Sequence, residues 1–165
     1  MCIRDRLCFD LLMKSGVEAY KAVEKGEATP AVEDIAEADI LLSGVGFESG
    51  GLAAAHAIND GFAQVPQAHG ALHGEKVAYG TLCQLILEKA PAEEFDQVFQ
   101  FCKAVGLPTK LADLGITEVK DDEIKAVAAA ACVKTQSTKN LPFPVTEEDV
   151  VAAISKADEI GRERA

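Results

Sequence analysis

Apolar residues recur at helical spacing along most of the chain, and no segment alternates as a half-buried strand would. LCFDLLMK (7–14) crowds its apolar positions together, and Gly16 stands where a turn could close that helix. VEAYKAVEK (17–25) predicts a second short helix ending at Gly26. Thr29 followed by Pro30 is a start signal, because proline needs no hydrogen-bond partner at the first helical position. Val32, Ile35, Ala36 and Leu42 then keep the helical period to about residue 43. SGVGFESGG (43–51) reads as a glycine-rich link, with Ser49 capping a helix over 50–59.

That helix, GGLAAAHAIN, is small and apolar around most of its circumference, so it should be enclosed by others, with His56 buried inside it. A loop over 60–70 follows, broken by Gly61, Pro66 and Gly70. The next helix (71–89) carries His73 in its first turn and turns Val77, Leu82, Leu85 and Ile86 inward. Beyond it the pattern predicts helices over 91–105, with Phe95, Val98, Phe99 and Cys102 in one stripe, 109–114 and 121–133. A loop ends in NLPFP, and Thr146 with Asp149 forms a capping box opening a last helix over 147–162. The expected fold class is all-α, an array of about eight helices.

Composition narrows the function classes. A net charge of −11 over 165 residues, with no basic stripe, leaves no electrostatic footprint for nucleic acid or an anionic membrane. The five cysteines form no CxxC pair, and Cys83, Cys102 and Cys132 lie in apolar helical patterns. Such thiols behave as small hydrophobes, and a reducing cytoplasm suits them. There is neither a signal peptide nor an apolar run near the length of a membrane span. MCIRDR (1–6) matches no element that follows and reads as a non-native leader, which leaves 7–165 as the domain and an expected protein that continues upstream.

The candidate chemistry lies between residues 43 and 80, which hold all three histidines. Catalytic zinc takes three protein ligands and keeps one position open. His56 in an enclosed helix and His73 at the start of the next could meet on one ion, since the loop between them lets the second helix fold back. The competing reading is a hydrogen-bonded core histidine in an alanine-rich helix. A third arrangement pairs His69 with His73 at i, i+4, although Gly70 and Pro66 oppose a helix beginning that early. Ile40-Leu41-Leu42 followed by GVGFESGG imitates a dinucleotide-binding turn, but its G-x-G-x-x-x-G spacing is one residue off and Glu48 would repel a pyrophosphate.

GFESGGLAAAHAI and HGEKVAYGTL resemble the metal-binding region of the glycerol dehydrogenases, within the iron-type alcohol dehydrogenase superfamily. VGLPTKLADLGI and NLPFPVTEEDVVAAI continue the resemblance, which covers residues 7–165. It implies the multi-helix C-terminal domain of a dehydroquinate-synthase-like fold, whose N-terminal NAD-binding domain is absent here. It further implies one catalytic Zn2+ or Fe2+ held by two histidines, here His56 and His73, and by an aspartate upstream of this chain. Phe47 matches an aromatic lining the substrate pocket, with an ordinary core side chain as the alternative. Relatives carry a histidine where Asn59 stands and another at the position of His69, neither expected to be a ligand.

The implied activity is oxidation of glycerol to dihydroxyacetone by hydride transfer to NAD, in a cytoplasmic homo-oligomer, with the fragment alone inactive. Another small polyol or alcohol, or a non-catalytic helical binding module, remains the alternative. A phosphorylated substrate would need a basic cluster, and only Lys76 lies near, itself read with Glu75 as a helix-terminal surface charge.

Overall fold

The computed structural model describes residues 3–164, with side-chain surroundings from Arg6 onward. It is helical with no strand among the described residues. The chain divides into two compact units, Met1–Gly51 and Leu52–Ala165. The first two residues of the expected leader lie outside the described residues, while Ile3 already opens the first helix.

In the first unit, α1 (Ile3–Glu24) is one helix rather than the two expected, and Gly16 lies buried inside it. A glycine inside a helix costs about 1 kcal/mol relative to alanine. Here its small size is useful, because Ser15, Gly16, Ala19 and Ala22 form a buried stripe and α1 packs on α2 (Pro30–Glu37). The Ser15 hydroxyl donates to the Asp34 carboxylate at 2.6 Å, tying the two helices together. Thr29 does occupy the N-cap, with Pro30 behind it, but its hydroxyl makes no capping bond.

The glycine-rich link is itself helical, contrary to expectation. After α2 the helix widens to a π turn over Ala38–Leu42 and continues as α3 (Ser43–Gly50). Packing of α3 on α1, with Gly46 buried, overrides the weak helix preference of its glycines. Ser49 does not cap a following helix; its hydroxyl bonds back to the Val45 carbonyl at 2.9 Å. The run ends at Gly51, whose φ of 73° favours glycine. The imitation of a dinucleotide-binding turn is thereby removed, since its glycines lie in a helix.

The second unit is built around α4 (Ala54–Gly61). Helices α5 (His73–Leu87) and α7 (Asp121–Ala131) both pack on α4, and α8 (Glu147–Glu163) packs on α5 and α7. Helix α6 (Ala92–Ala104) covers α5 and buries the expected stripe of Phe95, Val98, Phe99 and Cys102. Single-turn 3-10 segments at Phe62–Gln64, Pro66–Gly70, Leu111–Leu114 and Ser137–Asn140 complete the connections. The last helix starts as the sequence predicts. The Thr146 N–H donates to the Asp149 carboxylate at 2.9 Å, and the Asp149 N–H returns a bond to the Thr146 hydroxyl at 3.2 Å.

Candidate metal centre

Two close helix contacts set the position of α4. A side chain at Gly80 of α5 would run into the backbone carbonyl of Ala55. One at Gly61 would come within 2.9 Å of the Val127 side chain on α7. Both glycines are therefore required by space, and they let α4 sit between its neighbours at backbone contact. The first turn of α4 would otherwise leave N–H groups unpaired; the Ala55 N–H donates to the Gln84 side-chain oxygen of α5 at 2.9 Å. The segment leading into α4 is held from the other side. The Ser137 hydroxyl donates to the Ala53 carbonyl at 2.7 Å and the Asn140 amide to the Leu52 carbonyl at 2.8 Å.

This packing brings His56, in the first turn of α4, beside His73, the first residue of α5. Their ring centroids are 5.7 Å apart and the planes are tilted by 50°. With metal–nitrogen bonds of about 2.0–2.1 Å and a near-tetrahedral angle, two imidazoles on one ion put their centroids about 5 Å apart. The observed pair is close to that spacing. Among the described residues neither ring has a hydrogen-bond partner, which is not how a structural core histidine is satisfied. His69 shows the contrast. Its Nε2 lies 3.1 Å from the Ala63 carbonyl, and it sits in a 3-10 turn rather than one helical turn before His73.

His56 is half-buried rather than buried, and His73 is exposed, so the pair opens to solvent. Burial first, and then the neighbouring His73 ring, lower the His56 pKa from its ordinary value, while Asp60 works in the opposite sense. A lowered value keeps the imidazole neutral near pH 7, the form that donates to a metal. Glu75 caps α5 by accepting the Leu72 N–H at 2.7 Å, in agreement with its reading as a helix-terminal charge. No third His, Cys, Asp or Glu joins the pair among the described residues. The donor set suits Zn2+ or Fe2+, but it is incomplete on its own.

Phe47 lies on α3 in the first unit and is 55% exposed. Two surface grooves flank the segment around Phe143–Pro144–Val145, and neither contains a histidine. Sequence reasoning missed the roles of Gly80, Gln84, Ser137 and Asn140, none of which carries a local signal. Asp60 was readable, standing four residues after His56.

An all-α domain in which two adjacent helices open on a histidine pair is the arrangement expected of the helical C-terminal domain of an iron-type alcohol dehydrogenase. Residues 78–158 match the sequence profile of the Fe-containing alcohol dehydrogenase family, C-terminal, and the chain belongs to that family. It is 49% identical over 159 residues to a glycerol dehydrogenase of Thermotoga maritima, covering 96% of this chain and 44% of that protein. A glycerol dehydrogenase of Citrobacter freundii is likewise 49% identical, with 96% and 43% covered. The crystal structure of a probable glycerol dehydrogenase from Sinorhizobium meliloti superposes with a TM-score of 0.92 at 47% identity, over 98% of this chain and 46% of that one. The chain thus spans less than half the length of the relatives it matches.

Proposed function

We propose that this chain is the metal-binding part of an NAD-linked glycerol dehydrogenase that oxidises glycerol to dihydroxyacetone. The observation that carries the reading is the His56–His73 pair, two unbonded rings 5.7 Å apart at the openings of adjacent helices. His56 and His73 would hold a divalent cation, and a carboxylate from elsewhere in the intact enzyme would complete the set. The bound cation supplies Lewis-acid polarisation of a substrate hydroxyl, and NAD supplies the hydride acceptor.

The chain's own residues contribute positioning and electrostatics. Both histidines sit in the first turn of a helix, where the positive end of the dipole favours negative charge developing on substrate oxygen. Gly80 and Gln84 fix α4 against α5 and thereby set the separation of the rings. Phe47, which matches the substrate-pocket aromatic of the family, is exposed on α3 of the first unit. We place the enzyme in the cytoplasm, where the buried thiols of Cys83 and Cys102 stay reduced. The 165 residues alone bind the ion without turning substrate over.

The test uses the enzyme expressed with its upstream coding sequence, loaded with Zn2+ and assayed for glycerol-dependent NAD reduction at 340 nm. H56A and H73A are expected to lose bound metal and activity together, with unchanged helical circular dichroism. Full metal content in both variants would remove the proposed mechanism.

A further inference from the structure

Every residue of α4 except two is buried: Ala54, Ala55, Ala57, Ile58, Asn59 and Gly61 face neighbouring helices. The only open stripe of this helix consists of half-buried His56 and exposed Asp60, one turn apart. Residues at i and i+4 are side-by-side neighbours on a helix surface. The carboxylate is also oriented. Asn59, itself only 7% exposed, donates its side-chain amide to Asp60 Oδ1 at 3.0 Å.

The placement runs against local preference. Asp60 is the penultimate residue of α4, at the negative end of the helix dipole, where an acid is disfavoured. At the other end, the same dipole and that of α5 both set positive potential around the ring pair, which works against holding a cation. A fixed carboxylate on the open stripe offsets that potential. From the geometry we infer that Asp60 is a positioning residue of the metal centre: an outer carboxylate that strengthens the hold of His56 and His73 on a divalent cation without joining their ligand set. This rests on the proposed metal-site reading and extends it to a residue that no ligand pattern names.

The test is zinc titration of the 165-residue chain by calorimetry at pH 7.5, with H56A as the baseline. Asp60→Asn is expected to weaken zinc binding about fivefold, the size expected of one water-screened charge on a divalent ion one helical turn away. Asp60→Glu should restore most of the affinity, and 0.5 M NaCl should narrow the gap between D60N and the unsubstituted chain, which a merely structural role would not do. Equal affinity of D60N and the unsubstituted chain, with binding lost in H56A, overturns the role of Asp60 and leaves the ligand pair intact. A gap between D60N and the unsubstituted chain that is as wide in 0.5 M NaCl as without it overturns it too. Full binding by H56A overturns the ligand pair and the role of Asp60 together.

Discussion

At the scale of single residues, what distinguishes a ligand histidine from a packing histidine is whether its nitrogens are already used. His69 has the Ala63 carbonyl; neither His56 nor His73 has a hydrogen-bond partner among the described residues. H69A should therefore leave zinc stoichiometry unchanged in the titration that H56A and H73A abolish. A second residue-level prediction concerns acid stability. The Asp149 carboxyl is held below its ordinary value of 3.8 by the Thr146 backbone N–H and then by the Thr146 side chain. A group lowered in this way stabilises the fold above its unfolded value and ceases to do so as pH falls through the folded one. D149N should thus flatten the fall of Tm below about pH 4 relative to the unsubstituted chain, read by thermal circular dichroism. In the core, the Tyr79 hydroxyl donates to the Ile154 carbonyl at 2.8 Å, joining α5 to α8. Y79F should cost about 0.5–1.5 kcal/mol in urea unfolding.

At the scale of elements, the sequence was most informative where a start signal and an apolar stripe coincide. The helix starting behind Thr146 and the Phe95–Val98–Phe99–Cys102 stripe of α6 appear as expected. It misled at glycines, which are read as breaks when considered locally. Gly16, Gly44 and Gly46 all lie inside helices, because packing between α1, α2 and α3 outweighs their propensity. The exposure of the histidine pair was also hidden, since the apolar circumference of α4 does not reveal which flank lacks a neighbour. The meaning of Gly80 emerges only from the contact it permits. G80A would push α5 off the Ala55 carbonyl, and we expect a loss of about 1–3 kcal/mol in stability. Zinc affinity in the titration should fall with it, because the rings ride on the displaced helices.

At the scale of the whole molecule, the two units differ in what they bury. Tyr79, Phe62, Phe99, Ile58 and Leu82 head the fully buried side chains, all of them in the second unit. The first unit buries mainly alanines, while Tyr20, Val23, Ile40, Leu41 and Phe47 remain exposed. Residues 52–165 alone should therefore unfold cooperatively and still bind zinc, as thermal melting and titration of that shorter chain would show. No helix among the described residues is long and apolar enough to cross a membrane. Family membership was legible from long motifs around both histidines, whereas a third ligand was not, and no His, Cys, Asp or Glu joins the pair among the described residues. The contact at Gly80 has one more implication. The two posts that carry the imidazoles are braced main chain against main chain, and Gln84 is the side chain that pins the joint. Mutation can exchange most of the furnishings around that joint while the frame that carries the two imidazoles stays put.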